Sequence, residues 1–210
     1  MESIERHTQD LLAALSRLAA KGLAGDSRAR FSLRVPGGDA MIGGLAESGT
    51  APGGAMLVPL RGEADGDWAF HAAVYRLRAD VGAMVTACLP WTSRLARLCG
   101  EMPAAFDEQA RYLGRRVERL SFEGAEPTAA GARIIRRGGN AFVSGDEAVC
   151  LGFDKNRAIF NTELLEKSAQ AYVLATLSGL PVRRIPFYVR YIAARRLHAD
   201  RKRAAAGSPC

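Results

Sequence analysis

One uninterrupted apolar segment constrains the fold more than any other feature of this 210-residue chain. Residues 81–88 read Val-Gly-Ala-Met-Val-Thr-Ala-Cys, which is the length of one strand and too short to span a membrane. A strand that carries apolar side chains at successive positions is buried on both faces of its sheet. The segment therefore predicts a central strand covered on each side by other elements.

Periodic segments on both sides of this strand supply those covering elements. Apolar residues at three- and four-residue steps predict helices over 4–23, 67–78, 91–98, about 107–113, about 128–136 and 156–178. Short apolar or alternating runs predict strands at 31–35, 40–42, 56–60, 116–122, 141–143 and 148–151. The segment 43–54 is rich in Gly, Ala, Ser and Pro and predicts a loop. Helices and strands that are mixed in this way indicate a single α/β domain.

The charge balance favours anionic partners or substrates without making the chain a nucleic-acid binder. Lys and Arg number 29 against 22 Asp and Glu, for a net charge of +7. Much of the excess lies between Arg190 and Arg203, so we divide the chain into a domain over 1–185 and a basic C-terminal tail over 186–210. We interpret the tail as solvated, since it has no interleaved aromatic residue after Tyr191 that would favour nucleic acid.

The N-terminus and the cysteines predict a soluble, cytoplasmic protein. No apolar run reaches the length of a membrane span, and the chain begins with charged residues instead of a signal sequence. Four cysteines without Cys-x-x-Cys spacing indicate reduced thiols. Cys99 and Cys150 lie in apolar runs, where we expect them to be buried packing residues.

Two long segments carry a resemblance to a known family. Residues 67–76 read Asp-Trp-Ala-Phe-His-Ala-Ala-Val-Tyr-Arg and lead into the buried strand, while residues 148–154 and 163–172 form a late strand and a long helix. In this order, after an opening helix and a hairpin, they resemble the class II aldolase/adducin family. The resemblance implies a single-domain, three-layer α/β/α fold with a central mixed, largely antiparallel sheet. It also implies a homo-oligomer, most often a tetramer.

The resemblance locates a metal site that this chain has altered. Enzymes of the family hold a divalent metal, usually zinc, through a His-x-His at the end of the buried strand and a later His before a Gly. The corresponding residues here are Thr86, Cys88 and Asp146, so every imidazole is replaced. The family's catalytic acidic residue corresponds to Asp67, which keeps a carboxylate.

Candidate substrate-binding residues also follow from the resemblance. The family grips phosphate with a glycine-rich stretch that corresponds to residues 26–32, where its Gly and Asn have become Ala29 and Arg30. Loss of the glycine weakens a backbone cradle, although Arg28 and Arg30 supply side-chain charge, and Ser32 remains. A second phosphate loop corresponds to Ser48 and the glycine after it. A small anionic ligand is therefore a candidate partner.

Three interpretations of the altered site stay open. In the first, no cofactor is expected, and the fold serves as a non-catalytic binding or assembly module. In the second, Cys88 and Asp146, together with Asp67, rebuild a site for zinc or another divalent metal. In the third, the site works without metal, with Asp67 or Asp146 as general base, His71 as titrating partner or Cys88 as nucleophile.

These interpretations lead to two functions. The preferred one is a divergent class II aldolase/adducin-like protein that has lost the zinc-binding histidines and acts as a binding or assembly module. The alternative is an aldehyde-lyase, epimerase or dehydratase that acts on a small sugar phosphate or oxo acid. For His71 we favour a half-buried helix residue over a catalytic group, because it shares its helix with Trp68, Phe70 and Tyr75.

Overall fold

The central strand predicted from residues 81–88 lies in the middle of an eight-stranded sheet. The structure is a computed structural model that describes residues 2–24, 28–47, 54–62, 64, 66–179 and 182–206, without the side chains of residues 2, 3 and 67. Its strands are β1 (Ala29–Arg34), β2 (Ala40–Ala46), β3 (Met56–Pro59), β4 (Ala83–Ala87), β5 (Met102–Pro103), β6 (Arg116–Arg119), β7 (Phe122–Glu123), β8 (Glu126–Pro127), β9 (Ala141–Ser144) and β10 (Glu147–Gly152). The sheet order is β3-β2-β1-β4-β10-β9-β6-β5, while β7 and β8 pair separately.

Helices cover both faces of this sheet. They are α1 (Glu2–Ala20), α2 (Gly66–Leu77), α3 (Pro90–Leu98), α4 (Ala129–Arg137), α5 (Lys155–Leu177) and α6 (Phe187–Ala205), with a π-helical turn at Gln109–Leu113. Neighbouring strands are antiparallel except for the parallel pair β6 and β9. The predicted three-layer α/β/α fold with a mixed, largely antiparallel sheet is confirmed.

The side chains of β4 alternate between two cores, as its continuous apolarity predicted. Ala83, Val85 and Ala87 join the core under α1, α3 and α5, and Met84 joins the core under α2 and α4. All five residues of β4 are buried. Apolar burial on both faces stabilises the strand by roughly 25 cal/mol for each Å² removed from water.

Two expectations about local structure were wrong. Residues 43–46, predicted as loop, belong to β2, because their glycines admit helices on both faces of the sheet. A Cβ on Gly43 would lie 2.6 Å from Trp68 Cζ3, and one on Gly44 would lie 2.8 Å from Leu15 Cδ1. The strand predicted over 116–122 ends at Arg119. Residue 122 belongs instead to β7, which pairs with β8 across a turn at Gly124, with φ +62°.

Cys99 and part of the basic tail also differ from expectation. Cys99 is exposed at the end of α3, while Cys150 is buried as predicted. The tail forms α6, whose Arg201 is not solvated: its guanidinium donates to Asp80 Oδ2 at 3.1 Å and to the carbonyls of Gly138 and Arg136. These acceptors, which lie far away in sequence, hold α6 on the domain. The division of the chain at residue 185 stays a prediction.

Candidate functional site

Strand pairing brings the altered site together at one end of the sheet. β1 begins, β4 ends and β10 begins at this end, where Arg30 pairs with Thr86 and Glu147 opens β10. We call it the Thr86 end, defined by Arg30, Thr86 and Glu147. The opposite end, where β4, β6 and β9 begin, is the Gly114 end, defined by Asp80, Gly114 and Gly139.

A guanidinium lies against Thr86, the residue that the family resemblance assigns to the first metal-binding histidine. Arg30 Nε donates to Thr86 Oγ1 at 3.0 Å, and Arg30 Nη2 donates to Glu147 Oε1 in a short ion pair. The side chains of Arg30 and Glu147 are only 15% and 26% exposed, so water screens their attraction less than at the open surface. Arg30 is therefore committed to two acceptors inside the site.

His71 connects this ion pair to a buried hydrogen-bond chain. Its Nε2 lies 3.1 Å from Thr86 Oγ1, and its Nδ1 lies 2.7 Å from Ser32 Oγ. Ser32 in turn contacts the hydroxyl of Tyr75 at 3.0 Å. His71, Ser32 and Thr86 are fully buried, and both ring nitrogens of His71 have partners. This arrangement favours a positioning role, and a direct catalytic role for His71 stays a prediction.

The protonation state of His71 follows from its surroundings. Burial, followed by the positive charge of Arg30, lowers the pKa of His71 to about 3. Burial likewise raises the pKa of Tyr75. His71 is therefore a neutral imidazole throughout the physiological range, and it joins the hydroxyls of Ser32 and Thr86 without adding charge beside Arg30.

Cys88 and Asp146, which the family resemblance assigns to the other two metal-binding positions, have different surroundings. Cys88 is partly exposed one residue beyond β4. Asp146 is partly exposed and accepts a hydrogen bond from Arg97 Nη2 at 2.7 Å, which holds the pKa of its carboxyl below the usual range. The side chain of Asp67, the proposed catalytic acid, lies outside the described part of the structure.

The side chains that the structure describes at these positions do not fit a divalent cation. Within the described side chains, no three His, Cys, Asp or Glu residues come together as a metal-binding group. The hydroxyl of Thr86 already contacts Arg30 and His71, and the carboxylate of Asp146 already pairs with Arg97. A metal ion between these positions would lie beside guanidinium groups, whose positive charge opposes cation binding.

The candidate phosphate-binding residues do not form one open cradle. Arg28 Nε lies 2.7 Å from Glu47 Oε1 at the exposed edge of the site, while Arg30 pairs with Glu147 inside it. Ser32 is fully buried and its hydroxyl belongs to the His71 chain. Ser48 lies outside the described residues. Both arginines thus have carboxylate partners that a phosphate would need to replace.

Sequence reasoning missed Glu147, the residue that neutralises Arg30. The family resemblance assigns to Glu147 the position of the glycine after the third histidine. A carboxylate in place of that small residue, together with Arg30 in place of an asparagine, was the available signal. The two residues are 117 positions apart, so only the sheet register reveals that they meet.

Comparisons with solved structures place this site in a known fold. An L-fuculose 1-phosphate aldolase is 18% identical, with a TM-score of 0.73, and the match covers 91% of this chain and 95% of that chain. YgbL from Klebsiella pneumoniae, described as a putative aldolase/epimerase/decarboxylase, is 23% identical, with a TM-score of 0.69 and coverage of 90% and 98%. An L-fuculose-1-phosphate aldolase from Thermus thermophilus is 22% identical, with a TM-score of 0.65 and coverage of 83% and 96%.

At these identities the solved structures share the fold with this chain, and their activities do not transfer with it. No curated protein sequence matches the chain. The family model described as "Class II Aldolase and Adducin N-terminal domain" matches residues 9–173, which include α2, β4, β10 and most of α5. The sheet order, the position of the site and this match lead to one conclusion: the chain belongs to the class II aldolase and adducin N-terminal domain family.

Proposed function

We propose that this protein is a metal-independent member of its family that acts as a binding or assembly module. The observation that carries the proposal is the guanidinium of Arg30, which lies between Thr86 and Glu147 where the family resemblance expects a metal-binding histidine. The guanidinium of Arg30 supplies the positive charge that a metal ion would bring to this position, and the carboxylate of Glu147 neutralises that charge. A Lewis acid needs an open coordination position, which this ion pair does not supply.

The replacements at this site complement one another chemically. Relative to the family pattern, Arg30 adds a donor and a positive charge, while Thr86 and Glu147 add acceptors and a negative charge. An arginine introduced without these acceptors would leave a partly buried cation without compensation, which is costly. The set therefore forms a self-consistent replacement for a metal centre and supports the loss of metal chemistry.

The alternative is a lyase, epimerase or dehydratase that acts on a small sugar phosphate or oxo acid. The carboxylate retained in the sequence at Asp67 supports it, because the family resemblance assigns a catalytic acid to that position. The pairing of Arg28 with Glu47 and of Arg30 with Glu147 weakens it, since neither guanidinium is free to grip a phosphate. A turnover lost in Asp67→Ala would favour this alternative.

We also propose that the module assembles with copies of itself, as a tetramer in the family's usual form, in the cytoplasm. Several large apolar side chains at the beginning of α6 are exposed: Phe187, Tyr188, Tyr191 and Ile192. Contiguous exposed apolar surface of this kind is typical of a protein contact. None of the helices formed by the described residues is long and apolar enough to cross a membrane. Light scattering on the purified protein tests the assembly, and a monomer contradicts it.

Elemental analysis tests the central proposal. The untagged protein, purified without chelator and then incubated with excess zinc and desalted, is expected to retain only trace metal. A variant that restores the family pattern serves as the positive control. It carries Arg30→Asn, Thr86→His, Cys88→His, Asp146→His and Glu147→Gly. We expect this variant to bind zinc in stoichiometric amount, since it removes the guanidinium and supplies three imidazoles.

One result would overturn the proposal. If the native protein retains stoichiometric zinc, iron or manganese, and Cys88→Ala and Asp146→Ala both lose it, the site has been rebuilt for metal. If the restored variant does not fold, the double variant Arg30→Asn with Glu147→Gly, which removes the guanidinium, is analysed in its place. The metal content of the native protein then decides the test: metal-free native protein supports the proposal, and metal-loaded native protein refutes it.

A further inference from the structure

A second cavity opens at the Gly114 end, away from the altered site. It has a volume of about 470 Å³ and lies between α4, α6 and the beginning of β6. Six of its lining residues carry basic side chains: Arg115, Arg116, Arg133, Arg137, His198 and Arg201. Glu118 supplies the acidic group among the residues that line it. The cavity therefore concentrates positive charge in a concave space of ligand size.

Most of these guanidinium groups are available to a ligand. The side chains of Arg115, Arg133 and Arg137 form no hydrogen bond or ion pair with any other described residue. Arg116 has distant carboxylate contacts, at 3.7 Å to Glu101 and 3.5 Å to Glu118. The cavity thus differs from the Thr86 end, where Arg30 already pairs with Glu147.

Close backbone packing holds one wall of the cavity in place. A Cβ on Gly139 would overlap the carbonyl oxygen of Leu113, and one on Gly114 would lie 2.7 Å from Gly139 Cα. Gly114 also has φ +123°, a conformation that favours glycine. Asn140 N donates to the same Leu113 oxygen at 2.7 Å. This wall depends on glycine at both positions.

Buried ion pairs hold the facing helix. Arg78, 2% exposed, donates to both oxygens of Asp80 at 2.7 Å, and Arg201 of α6 donates to Asp80 Oδ2. Arg201 also binds the carbonyl of Gly138 at the cavity wall. The cavity is therefore built by buried contacts, while the unpaired arginines contribute little to holding it.

We infer that this cavity binds a small polyanion with two or more linked phosphate groups. A single phosphate is satisfied by one or two guanidinium forks, whereas at least three unpaired arginines surround this space. The volume suits a compact di- or triphosphate, because small-molecule pockets span roughly 300–1,000 Å³. The charges converge into a cavity instead of following a convex face, which favours a small ligand over a nucleic-acid strand.

Isothermal titration calorimetry with inorganic tripolyphosphate tests the inference on the full-length protein. We expect one site per chain and binding about 100-fold tighter than that of orthophosphate, because additional charge-assisted hydrogen bonds form. Arg133→Gln and Arg137→Gln should each weaken binding about tenfold. Arg94→Gln is the matched control: it removes the same charge from an exposed arginine on α3, and binding should change less than about twofold.

Four outcomes would overturn the inference. Tripolyphosphate does not bind; it binds with several sites per chain; or Arg94→Gln weakens it as much as the cavity variants do, which would indicate non-specific charge attraction. A single-stranded RNA that binds more tightly than tripolyphosphate, and whose binding falls in the same two cavity variants, would assign the surface to nucleic acid instead. The substituted arginines are exposed, so their replacement should leave the stability of the protein unchanged. Unchanged melting temperatures without ligand will show that all variants fold.

Discussion

Arginines at the two ends of the sheet have opposite environments. At the Thr86 end, Arg30 is largely enclosed and committed to Glu147 and Thr86. At the Gly114 end, Arg115, Arg133 and Arg137 line a cavity, and their side chains have no partner among the described residues. The positive charge at the Thr86 end is thus neutralised by a carboxylate, while arginine side chains at the Gly114 end have no carboxylate partner among the described residues. Net charge alone does not reveal this difference, because pairing decides which cations remain available.

The Gly114 end itself contains two kinds of arginine. Arg78 and Arg201 are buried or half-buried and share Asp80 as a partner. Burial alone would raise the pKa of Asp80, but hydrogen bonds and charge from Arg78 and Arg201 outweigh it and hold the pKa below the usual range. Asp80 therefore stays ionised and pairs with both Arg78 and Arg201. These two arginines have a structural role at the cavity wall.

The largest effect should come from breaking this buried network. Arg78→Ala leaves the carbonyls of Ile135 and Gly139 without their donor and removes the principal partner of Asp80. We expect the free energy of unfolding to fall by about 3–5 kcal/mol, as when one partner of a buried ion pair is removed. Urea denaturation measures it. Arg78→Lys should recover only part of the loss, and a loss below about 1 kcal/mol would show that this network does not hold the Gly114 end.

His71 should make the Thr86 end sensitive to acid. Its pKa is about 3 in the folded protein and about 6.5 when unfolded, so between these values the unfolded chain binds more protons. The contribution of neutral His71 to the free energy of unfolding is therefore fully present above about pH 6.5. It falls by about 1.4 kcal/mol for each pH unit below that value. Urea denaturation from about pH 7 to about pH 4.5 measures this slope.

Two histidine variants isolate this contribution. His71→Gln should remove that part of the slope, because no group at this position then titrates. His198→Gln, at an exposed histidine, should keep the native slope. Equal slopes in the native protein and in His71→Gln would contradict the buried, neutral state of His71.

A smaller effect is expected at the ion pair itself. Glu147→Gln removes the carboxylate charge that pairs with Arg30, and because both side chains are partly exposed we expect the free energy of unfolding to fall by about 1–2 kcal/mol. Combined with Arg30→Asn, the substitution should cost less than the sum of the single changes. A double-mutant cycle in urea measures this coupling, and strict additivity would mean that the two residues do not stabilise each other.

The smallest effect is expected at Asp146. Its pair with Arg97 is exposed to solvent, where ion pairs add little to stability. Asp146→Asn should therefore leave the melting temperature unchanged within experimental error, in contrast to Glu147→Gln one residue later. A clear drop in the thermal melt would show that Asp146 has a structural role that its exposed position does not indicate.

The sheet and most of the helices could be predicted because their patterns are local. β4 was evident from eight consecutive residues, and α5 from repeated apolar spacing. Gly43 and Gly44 were misassigned to a loop, since their place in β2 depends on Trp68 and Leu15 packing from opposite sides. The prediction that Arg201 is solvated is wrong because its acceptor, Asp80, lies 121 residues away in the sequence.

For the site, the sequence identified the positions, but their chemistry depended on distant partners. The family resemblance located Thr86, Cys88, Asp146 and Arg30 along the chain, and the loss of imidazoles was visible at once. The resemblance did not reveal that Arg30 meets Glu147 or that His71 bridges Ser32 and Thr86. Those contacts join separate strands and a helix.

By itself the sequence determined the family and the layered α/β architecture. These features are encoded in short-range periodicity and in residue identity, which need no knowledge of distant neighbours. Only the tertiary structure decided which arginines are neutralised and which remain free. Ion pairing depends on the distance between charges and on their exposure to water, and both are set when segments 117 and 121 residues apart come together in the fold.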